Sequence, residues 1–125
     1  MVLRGLLVMA AIAVAAPAAA QGAPDGKRLY TARCAQCHWD PAKPGEQQRI
    51  GPGLRGIVGR PAAANAAFKR YSAALRQSKI VWTPANLDAY LANPRAKVPG
   101  TSMAYAGLRA PAERAAVIAY LRAPR

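Results

Sequence analysis

The sequence contains few of the residues that build metal clusters, disulfide networks or acidic surfaces. Its 125 residues include two cysteines, one histidine and five acidic residues, against eighteen lysines and arginines. A structural zinc site requires four ligands, so two cysteines and one histidine are too few for one. The same count leaves no disulfide network to replace a hydrophobic core. Any specialised chemistry must therefore use a small number of side chains.

Strand-like alternation, internal repeats and a second hydrophobic cluster are also missing. The length and the 53% hydrophobic content fit one domain. Residues 40–61 are rich in Pro and Gly without a sustained period, which indicates an ordered loop. We therefore predict an all-α fold of short helices and long loops.

Four helices are expected from their start and stop signals. One follows Pro24 and leads into the cysteines, and Ser72 caps a second. Thr83 and Pro84 begin a third, which Pro94 ends. The last helix opens at Pro111, has an acidic residue in its first turn, and should bury three side chains: Val117, Tyr120 and Leu121.

Residues 1–20 have the pattern of an export signal. Arg4 precedes the apolar run "GLLVMAAIAVAAPAAA", which ends in three alanines before the polar Gln21. An uncleaved membrane anchor is the alternative, but the run contains Pro17 and is short for a bilayer span of about 20 strongly apolar residues. We expect cleavage before Gln21, which leaves a single domain of residues 21–125 in the periplasm.

The remaining chain is strongly basic. The formal net charge of the whole sequence is +13. Export argues against a nucleic-acid partner, and no basic motif interleaved with aromatic residues is present. A surface that meets acidic proteins, with at most peripheral contact to anionic membranes, fits better. A purely solubilising surface is the alternative.

Residues 33–40, "RCAQCHWD", carry the pattern C-x-x-C-H. This is the pattern of thioether attachment of a c-type haem, in which two cysteines bind the vinyl groups and the histidine reaches the iron. A redox dithiol would require a neighbouring strand and a parallel sheet, which the sequence does not suggest. A simple disulfide leaves the histidine without a role. Long loops around few helical residues also suggest that a large apolar cofactor completes the core.

A second axial ligand from the protein must come from a residue other than His38, the only histidine. Met1 and Met9 lie in the leader, so Met103 is the remaining methionine. It lies in "VPGTSMAYAGL", where Pro99 and Gly100 bend the backbone. Met103 is not part of the apolar face of any predicted helix. Filling of a core gap is the alternative role.

The segments "CAQCH", "GPGLRGIVGR", "YSAAL", "VWTPANLDAYLANPRAKVPGTSMAYAGL" and "AVIAYL" occur in the order seen in one family. In these segments the chain resembles a class I cytochrome c, close to the mitochondrial and bacterial c2-like branch. The resemblance implies short helices and long loops wrapped around one covalently bound haem. It also implies an electron carrier and not an enzyme.

The resemblance assigns a role to each matching residue. Cys34 and Cys37 would hold the haem, with His38 and Met103 as the axial ligands of its iron. The Pro52 carbonyl would bind the far ring nitrogen of His38. Three residues would surround the haem propionates, namely Arg60, Tyr71 and Trp82. Tyr90 and Thr101 would lie beside the methionine loop, and Gly26 with Tyr30 would cross Tyr120 and Leu121. Ordinary packing is the alternative for each, above all for Tyr30, Tyr90 and Trp82.

Some positions depart from the family. The loop between His38 and Gly51 is about two residues longer than in the mitochondrial form. Trp39 stands where a smaller polar residue is usual, and Ser102 and Tyr105 replace a lysine and a phenylalanine near the methionine.

We expect a monomeric shuttle between respiratory or photosynthetic complexes, such as a bc1-type complex and a terminal oxidase. Two alternatives remain open. The chain could be the electron-accepting subunit of a periplasmic dehydrogenase, or a peroxidase or gas-binding protein in which Met103 dissociates easily.

Overall fold

The computed structural model describes residues 23–123, which contain five helices joined by loops. The helices are α1 (Gly26–Arg33), α2 (Ala73–Gln77), α3 (Pro84–Ala92), α4 (Pro94–Lys97) and α5 (Pro111–Arg122). In this part of the chain the β-structure consists of one isolated antiparallel bridge, between Pro61 and Val81. The all-α prediction is confirmed. The leader predicted for residues 1–20 lies outside the described residues.

Side-chain caps place the helix starts where the sequence predicted them. The Ser72 hydroxyl accepts a hydrogen bond from the Leu75 N–H (3.1 Å), and the Thr83 hydroxyl accepts one from the Asn86 N–H (3.2 Å). Pro84 and Pro111 occupy first-turn positions, where a missing N–H costs nothing. These caps need only neighbours three residues away, which is why the sequence reveals them.

The prediction that Pro94 only ends a helix was incomplete. Asn93 caps a further short helix through its Oδ1, which accepts from the Ala96 N–H (3.1 Å), and Pro94 is the first residue of that helix, α4. A proline can stop one helix and begin the next because its fixed φ suits a first turn. The extra turn leads directly into the loop that contains Met103.

The core is formed where α5 packs across α1 and beside α3. Val117, Ile118 and Leu121 are the buried residues of α5. The prediction that Tyr120 is buried was wrong. Its ring lies 5.4 Å from that of Tyr30, but its hydroxyl reaches the surface region behind the cysteine motif and donates to Asp40 Oδ1 (2.7 Å). A tyrosine whose hydroxyl binds a carboxylate keeps that polar end out of the apolar core, so Tyr120 is only half-buried. Ile118, which the sequence analysis did not include, is a buried residue of α5.

A long loop is closed at its base by backbone hydrogen bonds. The Ala62 N–H donates to the Ile80 carbonyl (2.7 Å), and the Trp82 N–H donates to the Arg60 carbonyl (2.8 Å). This pairing brings Arg60 and Trp82 side by side although 22 positions separate them in the numbering. None of the helices in residues 23–123 is long and apolar enough to cross a membrane.

Candidate haem site

The cysteine motif extends α1 by a turn. The Cys37 and His38 N–H groups both donate to the Cys34 carbonyl, at 3.1 and 2.9 Å. Cys34 and Cys37 form no disulfide with each other, and both are half-buried. Burial, with a smaller contribution from Cys37, raises the pKa of the Cys34 thiol to about 11. A reactive redox dithiol needs a lowered thiol pKa, so this environment argues against that alternative.

His38 is buried and held by one carbonyl. Its side chain is 7% exposed, and Nδ1 lies 2.7 Å from the Pro52 carbonyl oxygen, the partner that the sequence predicted. Burial lowers the pKa of His38, although the hydrogen bond to Pro52 partly opposes this. A neutral ring with its proton on Nδ1 donates to that carbonyl and keeps the lone pair of Nε2 for a metal.

Two residues that the sequence analysis missed brace the motif from the following loop. The Gly51 N–H donates to the Cys37 carbonyl (2.7 Å), and the Arg49 guanidinium donates to the Ala35 carbonyl (2.8 Å). A β-carbon on Gly51 would lie under 3.0 Å from the His38 ring. The glycine in "GPGL" was quoted only as part of a motif, and no local signal links Arg49 to Ala35 across 14 positions.

Two hydrogen bonds connect the loop that contains Met103, called the methionine loop here, to α3. A hydrogen bond of 2.7 Å joins the Tyr90 hydroxyl to Thr101 Oγ1, which also accepts from the Met103 N–H (3.3 Å). Burial raises the pKa of Tyr90, so its hydroxyl stays neutral. The Met103 side chain is half-buried against the core cluster that contains Tyr90 and Trp82. Tyr90 and Thr101 thus lie beside Met103, where the sequence analysis expected them.

Arg60, Tyr71 and Trp82 form a second group. Trp82 is buried, and its ring lies 4.9 Å from that of Tyr90. The Arg60 guanidinium donates to the Arg55 carbonyl (3.1 Å). Burial raises the pKa of Tyr71, while a backbone hydrogen bond from Asn65 and the charge of Arg60 oppose the rise. The charge of Arg60 therefore acts on the Tyr71 phenol, and the backbone of Arg60 pairs with that of Trp82.

These groups suit a c-type haem. Within residues 23–123, no three His, Cys, Asp or Glu side chains cluster to hold a metal ion. Residues 23–123 contain one histidine and one methionine, the two residue types that ligate Met/His haem iron. Two thiols stand next to the imidazole for covalent attachment, and a separate cationic group could face carboxylates.

Comparison with known proteins agrees with this assignment. The sequence model of the family described as Cytochrome c matches residues 23–123. A cytochrome c of Guizotia abyssinica is 39% identical over 108 residues, which cover 86% of this chain and 95% of that protein. This chain belongs to the cytochrome c family. As a member it carries haem c covalently, on a motif that contains Cys34 and Cys37, and it is an electron carrier.

Bacterial cytochromes are among the similar proteins. A "cytochrome c-type cyt cy" of Rhodobacter capsulatus is 43% identical over 96 residues, which cover 77% of this chain and 46% of the relative. The solved structure of cytochrome cH from Methylobacterium extorquens matches with a TM-score of 0.70 at 36% identity. That match covers 78% of this cytochrome and 93% of the other chain. The class I cytochrome c fold expected from the sequence is confirmed.

Proposed function

We propose that this cytochrome is a soluble periplasmic carrier that moves one electron at a time on a haem with His38 and Met103 as axial ligands. The observation that carries the proposal is the His38 Nδ1 to Pro52 hydrogen bond (2.7 Å), which leaves Nε2 for iron. When bound, the haem supplies the one-electron couple of its iron. An imidazole and a thioether as its ligands would favour the reduced iron and would leave no coordination position for a substrate.

The rest of the proposed site follows from its polar groups. Thr101 and Tyr90 would orient the methionine loop through the backbone of Met103. Arg60, Tyr71 and Trp82 would offset the negative charge of the haem propionates, because charged and neutral N–H and O–H donors stabilise buried carboxylates.

The replacement Met103→Ala tests the axial assignment. We expect loss of the weak sulfur-to-iron absorption band of the oxidised protein and a lower reduction potential, because the thioether favours reduced iron. Ser102→Ala, in the same loop but without a sulfur atom, is the matched control and should retain the band. A Met103→Ala protein that keeps both the band and the potential would disprove the ligand assignment.

The proposed partners are proteins with acidic docking faces, such as a bc1-type complex and a terminal oxidase. Support comes from the net charge of +13 and from the scarcity of ion pairs, because Arg114–Asp88 is the one salt bridge within residues 23–123. The other basic side chains in this part of the chain form no salt bridge, so their charges can steer encounters. The association rate with an acidic partner should fall as salt rises, and a rate independent of salt would contradict this mode of docking.

Export and the oligomeric state are tested together. The protein isolated from the periplasm should begin at Gln21 and sediment as a monomer. Recovery from the membrane fraction with residues 1–20 attached would show an anchored carrier instead.

Two further observations test the alternative functions. Co-purification with a dehydrogenase would favour the dedicated subunit. Carbon monoxide binding by the reduced protein at neutral pH would favour a peroxidase or gas-binding protein.

A further inference from the structure

We propose that the side-chain amide of Asn65 is an additional hydrogen-bond donor to a haem propionate. The inference rests on the proposed function, because that function places the propionates beside Arg60, Tyr71 and Trp82. Asn65 belongs to none of the motifs that indicated the haem site. It lies in the long loop closed by the Pro61–Val81 bridge.

The first argument is a buried donor without an acceptor. Asn65 Nδ2 is buried and has no hydrogen-bond partner. Its companion Oδ1 accepts from the Ala67 N–H (3.1 Å), which fixes the orientation of the amide because that N–H can only donate. Buried amide donors are costly to leave unsatisfied and nearly always have a partner. The missing partner must be an acceptor.

The second argument is the neighbourhood of that donor. The Asn65 backbone hydrogen-bonds to the Tyr71 hydroxyl, and the charge of Arg60 acts on the same hydroxyl. The Asn65 carbonyl accepts from the Phe68 N–H (3.1 Å), and the Phe68 ring packs edge-on against Tyr71, with 4.8 Å between the centroids. Asn65 is therefore part of the turn that supports Tyr71, at the group assigned to the propionates.

The third argument is the kind of acceptor that this group would bind. The Arg60 guanidinium, the Tyr71 hydroxyl and the Asn65 Nδ2 group can all donate hydrogen bonds to a carboxylate. Glu46 is the acidic residue whose charge acts on the pKa of Tyr71. Its Oε1 accepts from the Arg55 N–H (3.3 Å), and it does not accept a hydrogen bond from Asn65 Nδ2. A haem propionate, an anionic acceptor buried with its cofactor, fits the unpartnered Asn65 amide, and charge-assisted bonds of this kind are strong.

A donor to a propionate should raise the reduction potential, because it offsets negative charge that otherwise stabilises the oxidised iron. Asn65→Asp keeps an oxygen for the Ala67 N–H, removes the donor and adds a negative charge. At a fixed solution potential we expect the ratio of reduced to oxidised protein to fall about tenfold, which equals 59 mV for a one-electron couple. Asn65→Ser, which can keep the turn without the long amide, should lower the ratio less.

Asn93→Asp is the matched control. Asn93 is exposed, and its Oδ1 accepts a local backbone N–H, that of Ala96 (3.1 Å), as the N-cap of α4. It therefore receives the same substitution and the same added charge, away from any buried amide. We expect its potential to stay close to that of the unchanged protein.

A second measurement is made on the protein without substitutions. In nitrogen-15 spectra, the side-chain amide protons of Asn65 should exchange with solvent at least about tenfold more slowly than those of Asn93. They should also shift between the reduced and oxidised states, because paramagnetic iron moves only nearby signals. The spectrum of Asn65→Asp identifies the resonance by its disappearance.

The outcomes separate this inference from the function on which it rests. If Arg60→Leu and Tyr71→Phe lower the potential, while Asn65→Asp changes it no more than Asn93→Asp does, the Asn65 inference is wrong and the propionate group stands. If none of these variants changes the potential, the propionate assignment itself fails. The inference would also be wrong if the Asn65 side-chain amide protons exchanged as fast as those of Asn93 and had the same chemical shifts in both oxidation states.

Discussion

Gly26 lies directly against the backbone of Ala116, so that a β-carbon on the glycine would stand under 3.0 Å from the Ala116 carbonyl oxygen. This contact sets how closely α1 and α5 cross. The two helices approach there through backbone atoms, and the Tyr30 and Tyr120 rings pack against each other at an interplanar angle of 47°. The close approach that the sequence analysis expected at Gly26 is therefore present.

Gly26→Ala should destabilise the folded protein by about 1–3 kcal/mol, the usual cost of forcing an extra carbon into a packed contact. Helix propensity alone predicts the opposite sign, a gain of up to about 1 kcal/mol. Denaturant unfolding of the haem-loaded protein decides between the two. Ala115→Gly, at an exposed position of α5, is the propensity control and should lose about 1 kcal/mol. A Gly26→Ala protein of unchanged or higher stability would rule out the tight crossing.

Gly51→Ala should disturb the imidazole of His38, because the new β-carbon would overlap the ring. We expect a lower yield of haem-loaded protein and a changed visible spectrum. Gly53→Ala is the comparison. The atoms nearest to its β-carbon would belong to the flexible Glu46 side chain, which can rotate away, and not to the His38 ring. Equal spectra and yields for the two variants would show that Gly51 does not constrain His38.

Ala63→Gly and Lys79→Gly should each stabilise the protein by about 0.5–1 kcal/mol. Both residues have left-handed backbone conformations, with φ of 59° and 57°. That conformation costs an L-residue roughly 1–2 kcal/mol, and the greater freedom of glycine in the unfolded chain cancels part of the gain. Denaturant unfolding measures the change. Ala62→Gly, at a neighbouring position without positive φ, is the control and should be destabilising. An equal loss of unfolding free energy in all three variants would contradict the interpretation.

Tyr30 should make the unfolding free energy depend on pH in the alkaline range. Burial, assisted by the nearby charge of Asp40, raises its pKa far above the ordinary value of 10.0. The unfolded chain then releases a proton that the folded protein retains. The contribution of Tyr30 is complete below pH 10 and is lost as the pH rises above it, by up to about 1.4 kcal/mol per pH unit.

Tyr30→Phe tests this dependence. At neutral pH the variant should lose about 1 kcal/mol, because the hydroxyl donates to the Trp39 carbonyl (2.9 Å). Above pH 10 its unfolding free energy should fall less steeply than that of the unchanged protein. Denaturant unfolding at several pH values between 8 and 11.5 compares the two slopes, and parallel curves would disprove the assignment to Tyr30.

The sequence by itself determined the features that depend on near neighbours. The C-x-x-C-H motif indicated the haem, since attachment needs those residue types at that spacing. Ser72, Thr83 and the prolines marked helix starts, because a cap acts on an N–H two or three residues away. Even so, the local signal at Pro94 was read only as a stop, and the turn that it begins was missed.

Only the tertiary structure decided the contacts made across long separations. It set Arg49 against Ala35 and buried the Nδ2 atom of Asn65 where no protein atom accepts its hydrogen bonds. It also buried Ile118 and left Tyr120 half-buried, with its hydroxyl bound to Asp40 from 80 positions away. Such contacts depend on the path of the whole chain around its core, and residue type and local spacing do not specify that path.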